Sequence, residues 1–399
     1  MTKSDDKRVP ALRFKGFTDE WEQRKLGEVS TFINGRAYKQ SELLNSGKYK
    51  VLRVGNFYTN DSWYYSNLEL ADKYYIKKGD LVYTWSATFG PHIWDGEKVI
   101  YHYHIWKIKL SKYLDKNFTL QILEADKAKL LSNTNGSTMI HVTKNNMENK
   151  VISIPNIKEQ KKIGECLMKF DSLIELQQRK EKQLKLLKTA MLQTLFTKKN
   201  VPQLRFKGFT DTWKQRKLGE VTKIVSGGTP STNISKYWNG NINWYSPTEI
   251  GNQTFVNSSK KKITELGLKE SSAKLLPGKK TILFTSRAGI GDMAIMNTDG
   301  STNQGFQSWV VKPHITDIYF LYSLGSKLKK QALRKASGST FLEISNSEVK
   351  KLTLYLPGFK EQTIIGKIIE LIDKLITFQQ GKTNKLESLK QFLLQNMFI

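Results

Sequence analysis

Few side chains in this 399-residue chain are spaced for chemistry. The five histidines (His92, His102, His104, His141, His314) show no metal-ligand spacing beyond His102-x-His104. An alternating pair of that kind on a strand serves more readily as a core or nucleic-acid contact than as a ligand pair. Cys166 is the single cysteine, which excludes an internal disulfide framework and any cysteine-based zinc cluster. Gly289-x-Gly291 runs on into Asp292-Met293-Ala294 and lacks the third glycine of a dinucleotide fingerprint. Gly381-Lys382-Thr383 has the end of a phosphate-binding loop, but Ile376 stands where the first glycine belongs. The segment is expected on a solvated helix face. No Pro-Pro occurs anywhere, so an Asn-Pro-Pro-aromatic loop for base methylation is missing. No catalytic, cofactor or metal site is therefore expected.

What the chain does carry is charge. With 64 Lys+Arg against 36 Asp+Glu, its formal net charge is +28, which calls for a polyanionic partner such as nucleic acid or an anionic membrane surface. No apolar run reaches the ~18 residues of a membrane span. The N-terminal Met1-Thr2-Lys3-Ser4-Asp5-Asp6-Lys7-Arg8 has no apolar h-region, so a cytoplasmic protein is expected. At about 100–200 residues per domain, the length suggests two or three domains.

The elements that must position any site come in two copies. Residues 10–32 and 202–224 are identical at 17 of 23 positions, at an offset of 192. Farther on the offset is 202. Gly136-Ser137-Thr138 matches Gly338-Ser339-Thr340, Pro155 matches Pro357, Gly164 matches Gly366 and Asp171 matches Asp373. Two similar frame segments thus bracket two central regions of different length and sequence. After each proline, apolar residues recur at heptad spacing: Ile163, Phe170, Leu184 and Met191, then Ile365, Ile372, Leu386 and Leu393. Leu167, Leu187, Ile369 and Leu389 widen the stripe, and Cys166 aligns with Ile368 on that face. Each pattern predicts a helix of roughly 40 residues, or ~60 Å, with the other copy as partner. Gln177 and Gln379 break the stripe near mid-helix and are expected to fix register between antiparallel helices. The second helix should be continued in space by residues 10–18.

The central regions, about 20–154 and 212–356, are Gly-punctuated, aromatic-rich and β-prone. Residues 50–54, 80–84, 103–108, 281–285 and 308–311 read as strands. A mixed α/β (α+β) fold follows: 1–155 a first globular domain, 156–200 a helix and linker, 201–357 a second domain, 358–399 a second helix. The two domains are expected to be related by a pseudo-twofold axis through the helix pair.

Gly227-Gly228-Thr229-Pro230-Ser231-Thr232, Tyr237-Trp238 and Ile242-Asn243-Trp244 carry a resemblance to a known family. So do Phe284-Thr285-Ser286-Arg287-Ala288-Gly289-Ile290-Gly291, Asn303-Gln304, and each proline with its Glu-Gln pair (Glu159-Gln160, Glu361-Gln362). The chain resembles the DNA specificity subunits of type I restriction–modification systems over nearly its whole length. In the first domain Trp85-Ser86-Ala87-Thr88-Phe89-Gly90 replaces the Arg-Gly-Ile-Gly loop, and His102 and His104 stand near the Asn-Gln position.

The resemblance implies a non-catalytic subunit in which each domain reads one half of a bipartite double-stranded DNA target. The helix pair would set the spacing and dock two modification (methyltransferase) subunits. Those partners would bring S-adenosylmethionine and adenine methylation, and restriction subunits would join them. Arg287 suits a bidentate contact to guanine, and Asn303 and Gln304 suit adenine. Lys260, Lys261 and Lys262 suit phosphate, as do Ser137, Thr138, Ser339 and Thr340. In the first domain the candidates are Arg36, Arg53, Asn56, Tyr58, Ser86, His102 and His104. Tryptophans and tyrosines are expected mainly in the core. A free-standing bipartite DNA-binding regulator is the alternative reading; a nuclease or methyltransferase in its own right is disfavoured by the missing motifs. If Gln177 and Gln379 are buried, replacing both with leucine should raise the melting temperature while loosening the register. An unchanged melting temperature would argue against their burial.

Overall fold

The computed structural model describes residues 9–58, 60–86, 88–132, 142–196, 200–251, 253–287, 289–338 and 342–399. They fall into two compact units, Met1–Gln178 with Gly381–Ile399, and Arg179–Gln380. Both divisions fall inside the long helices Ile157–Leu195 and Phe359–Asn396. Each unit therefore holds the front of one long helix and the back of the other.

The first unit has a four-stranded sheet ordered Ser30–Asn34, Ile105–Leu110, Leu81–Thr84, Gly90–Ile93. A second sheet is ordered Tyr64–Ser66, Tyr49–Leu52, Val99–Tyr101, Tyr75–Ile76, with its two central strands parallel. Leu81–Thr84 is buried at every residue, as a strand covered on both faces must be. The second unit repeats this plan. One sheet is ordered Thr222–Ser226, Gln307–Val311, Thr281–Phe284, Met293–Met296, Phe255–Val256, and the other Lys261–Ile263, Trp238–Tyr245, Gly300–Thr302. In each unit an antiparallel strand pair, Glu22–Lys25 with Val151–Ile154 or Lys214–Lys217 with Thr353–Leu356, joins the frame segment to the start of a long helix. The mixed α/β (α+β) class is observed. No helix among the described residues is long and apolar enough to cross a membrane.

Buried polar side chains close both frames in the same way. Arg13 donates from Nε and Nη2 to the two carboxylate oxygens of Glu159, at 2.7 and 2.8 Å. Arg205 donates likewise to Glu361, at 2.9 Å for each bond. Both glutamates are in the first helical turn and buried. Beside them, Gln160 accepts from the Asp115 N–H (2.8 Å) and donates to the carbonyls of Tyr113 (2.9 Å) and Pro155 (2.8 Å). Gln362 makes the same three bonds, with Asp317 (3.0 Å), Ile315 (3.0 Å) and Pro357 (2.9 Å). One turn on, a Cβ at Gly164 would lie 2.7 Å from the Phe118 nitrogen, and one at Gly366 2.9 Å from that of Phe320. Only glycine lets the long helix come so close.

The helix segments within each unit are tied by equivalent ion pairs. Asp171 accepts from Gln121 Nε2 at 2.7 Å and pairs with Lys390. Asp373 accepts from the Tyr319 hydroxyl at 2.7 Å and from Lys188 at 2.5 Å. Residues 10–18 do continue the C-terminal helix, as expected: the Leu12 N–H donates to the Asn396 carbonyl at 2.8 Å, and Phe398 packs on Phe118. In the second unit Leu204 bonds to Thr194, and Phe196 packs on Phe320.

The structure revises several local readings. Residues 102–104 form a turn and the strand begins at Ile105, because the Ile105 N–H closes back onto the His102 carbonyl; His102 and His104 are not an alternating strand pair. The strand from Tyr49 stops at Leu52, and Val54–Phe57 is a 3-10 turn. Ile163, Leu167, Ile365 and Ile369 are buried, but Leu187 and Leu389 are exposed. At their level the neighbouring lysine, Lys188 or Lys390, faces the other helix, and the ~100° step per residue carries each leucine outward. Gly381 and Lys382 are exposed as expected, while Thr383 turns inward and is buried. Gln177 and Gln379 are half-buried, and Gln177 Oε1 is shielded from solvent without a hydrogen bond from any described residue.

Removing one partner strands the other's charge in a buried site. Arg13→Ala and Arg205→Ala should each cost on the order of 3 kcal/mol in urea unfolding. A loss below about 1 kcal/mol would show that solvent compensates the missing guanidinium.

Candidate nucleic-acid interface

In the first unit the candidate residues gather where four strands end: Ser30–Asn34, Tyr49–Leu52, Leu81–Thr84 and Val99–Tyr101. A backbone ladder fixes this edge. Gly35 N–H donates to Ile105, Arg36 to Tyr101, His102 to Leu52, and Trp85 to His104, over 3.0–3.2 Å. The second unit builds the same ladder. Gly227 donates to Phe306 (3.3 Å), Gly228 to Thr302 (2.8 Å), Asn303 to Tyr245 (3.0 Å) and Ser286 to Gly305 (2.7 Å). A Cβ on Gly35 would lie 2.4 Å from the His102 carbonyl, and one on Gly227 1.9 Å from that of Asn303, so glycine is required at both. The ladder sets the equivalences: Arg36 with Gly228, Ser86 with Arg287, His102 with Asn303, Tyr103 with Gln304. Trp85-Ser86 does stand at the Arg287 loop, and the His102 turn at the Asn303-Gln304 turn.

The side chains at these shared positions differ in chemistry. On the second edge Arg287 is half-exposed and pairs through Nε with Glu343 at 2.9 Å. Asn303 Oδ1 accepts from the Gly305 N–H at 2.8 Å, and the Thr229 hydroxyl donates to Gln304 Oε1. On the first edge His102, Tyr103 and His104 cluster against Trp85, whose indole N–H donates to the Tyr103 carbonyl at 2.9 Å. Tyr103 is 39 % exposed at the tip. It was missing from the sequence candidates, although an aromatic residue between two histidines was a visible signal.

Other candidates are engaged within the fold. Arg36 is held by both carboxylate oxygens of Glu42, at 2.7 and 3.0 Å. Arg53 lies over the Tyr64 ring at 4.3 Å. The Asn56 amide fastens its own loop, accepting from Arg53 N–H and donating to the carbonyls of Asn60 and Ser62. The Tyr58 hydroxyl lies 3.2 Å from Thr84 Oγ1 and 2.9 Å from His92 Nε2. Ser86 is half-buried at the bend after Thr84.

Lys260, Lys261 and Lys262 are exposed. Lys261 and Lys262 stand on a strand opposite Trp244 and Asn243, and the Lys260 N–H is bound by Glu249 at 2.7 Å. Ser137, Thr138, Ser339 and Thr340 lie outside the described residues. No group of three or more His, Cys, Asp or Glu spaced for a metal occurs among the described residues.

Burial keeps the histidine rings of the first edge uncharged. It pushes the His102 imidazole down to about 4, with His104 and Arg53 adding repulsion, and it lowers His104 as well. His92, stacked on Phe57 at 4.3 Å, is pushed down to about 4 by burial and then by Lys127. At pH 7 these rings are neutral donors and acceptors, whereas the second edge carries the Arg287 cation.

Comparison with known proteins matches residues 18–186 and 210–388 to one family, the type I restriction modification DNA specificity domain. The chain is 35 % identical over 190 residues to the type I restriction enzyme MjaIX specificity subunit of Methanocaldococcus jannaschii, covering 47 % of this chain and 44 % of that protein. It thus spans less than half of that relative. It is 24 % identical over 395 residues to the MjaVIII specificity subunit of the same organism, covering 94 % and 91 % of the two chains. Its fold matches the S subunit of a type I restriction–modification system from M. genitalium with a TM-score of 0.67, covering 98 % and 99 % of the chains at 17 % identity.

A histidine held below its ordinary value of 6.5 binds protons more readily in the unfolded chain. Stability should be full above about pH 6.5 and fall as the pH drops toward 4. His92→Gln keeps a partner for Tyr58 and cannot titrate, so it should flatten part of that fall in melting temperatures measured from pH 7.5 to about 4.5. An unchanged slope would show that His92 does not contribute.

Proposed function

Because the chain belongs to the family defined by the type I restriction modification DNA specificity domain, and carries that domain twice, we propose that each unit reads one half of a bipartite duplex target. The single observation behind this reading is the pair of matched strand-end edges: the same backbone ladder and the same close-approach glycine, with unlike side chains. A shared edge ladder that carries unlike presenting residues suits two different half-sites. The first edge offers neutral imidazole and phenol groups at His102, Tyr103 and His104, with Arg36, Arg53, Asn56, Tyr58 and Ser86 around them. The second offers Arg287, Asn303 and Gln304, groups suited to guanine and adenine edges in the major groove. Lys260, Lys261 and Lys262 supply exposed charge for phosphates, which positions the duplex without selecting sequence. Ser137, Thr138, Ser339 and Thr340 are proposed as further phosphate donors.

The long helices act as the spacer, with Gln177 and Gln379 fixing their register. Half-sites read from one face of a duplex lie about 34–36 Å apart, and helices of 39 and 38 residues are long enough to span that distance. Exposed apolar side chains on these helices, Leu173, Leu176 and Leu389 in the first unit and Leu187, Leu371 and Phe378 in the second, suit the docking of two modification subunits. Those subunits bring S-adenosylmethionine and the methyl transfer, restriction subunits bring cleavage, and this chain brings recognition. The net charge of +28 gives every duplex some affinity, steeply weakened by salt.

Reconstitution tests the reading. The full chain with its modification subunits should methylate adenine within a split target, and either component alone should not. Exchanging residues 212–356 for another recognition region should change one half-site only. Methylation by the isolated chain, or a change in both half-sites, would overturn it.

A further inference from the structure

Arg36 and Arg287 stand on matched edges and each meets a glutamate, but the two pairs are built differently. Arg36 spends both terminal nitrogens on Glu42, Nη1 at 3.0 Å and Nη2 at 2.7 Å, and Glu42 also accepts from the Lys39 N–H at 2.8 Å. That fork is closed. Arg287 forms only an ion pair with Glu343, Nε to Oε1 at 2.9 Å, and its guanidinium donates no hydrogen bond to any described residue. The pair is open to solvent, with the two side chains 46 % and 36 % exposed.

Glu343 is itself firmly mounted. Its backbone exchanges two hydrogen bonds of 3.0 Å with Ser337. The next residue, Ile344, is buried, and its N–H donates to the carbonyl of Ser286, the residue before Arg287. The backbone segments that carry the carboxylate and the arginine are thus tied to each other. Bidentate reading of guanine needs two in-plane N–H groups aimed at O6 and N7. A guanidinium attracted to a mounted carboxylate is biased toward one side of the edge before DNA arrives, and its Nη fork remains available.

We infer that Glu343 is a positioning residue for base recognition: its ion pair draws the Arg287 guanidinium into place and leaves the terminal fork for a guanine in the second half-site. This rests on the proposed reading of Arg287 as a base contact. A carboxylate beside a DNA-facing edge also repels phosphate. Its removal should therefore loosen the choice of base while leaving affinity for arbitrary duplex unchanged or higher, a combination that a merely structural role would not produce.

The test uses the full chain assembled with its modification subunits, and duplexes in which each target position is varied singly. Arg287→Ala should erase the base preference at one position of the second half-site. Glu343→Ala should weaken the preference at that same position by about tenfold or more, with no loss of binding to unrelated duplex. Glu343→Gln, which keeps the shape and removes the charge, should lose the preference as Glu343→Ala does, and it decides the matter if the alanine variant fails to fold. Glu343→Asp, which keeps the charge one methylene farther back, should retain more of the preference than Glu343→Ala. A preference within about twofold of the parent in the folded variant, or an equal loss on all duplexes, overturns the positioning role. If Arg287→Ala changes no preference, the reading of Arg287 falls and the inference falls with it. If Arg287→Ala shifts the preference and the Glu343 variants do not, the positioning role alone fails.

Discussion

A buried carboxylate must find all of its hydrogen bonds within the fold, because the water it gave up is not replaced. Glu159 and Glu361 meet that demand through a two-pronged arginine, Arg13 or Arg205. Gln160 and Gln362 complete the arrangement by bridging the start of the long helix to the central region of the same unit. Such a network tolerates one geometry, since displacing any member leaves a buried polar group unpaired. The Pro-x-x-x-Glu-Gln segment, the Leu-Arg-Phe-Lys-Gly-Phe segment and the first turn of each helix are therefore locked together. The strand pair, the glycine at the helix crossing and the aspartate–lysine tie farther along follow from that lock.

With the frame constrained, variation falls in the central regions and reaches their strand ends. There the backbone ladder is again the same in both units, because Gly35 and Gly227 allow main chain to approach main chain closely. Side chains beyond the ladder are under no such demand. One edge presents imidazole rings kept neutral by burial, the other a cation paired with a glutamate. The same scaffold thus presents two different hydrogen-bonding faces, while the charge spread over the chain remains indifferent to sequence.

Much of the architecture was legible in the amino-acid order, for identifiable reasons. The repeated Arg and Glu-Gln segments marked the frame because a buried ion pair accepts no substitute, so the two copies stayed alike. The long helices were legible from their apolar spacing. Equivalences at the strand ends were only half legible. Ser86 and Arg287, or Tyr103 and Gln304, share no residue type, and only the hydrogen bonds around them show that they occupy the same place.

Sequence alone determined the duplication, the mixed fold, the paired helices and the sign of the partner's charge, since each follows from spacing or composition along one dimension. Tertiary structure decided which candidates remain available. It closed Arg36 onto Glu42, tied Asn56 into its own loop, turned His102 and His104 onto a turn with Tyr103 between them, and set Glu343 against Arg287. Those outcomes depend on which residues the folded chain brings together from distant positions, and spacing along a sequence does not encode that.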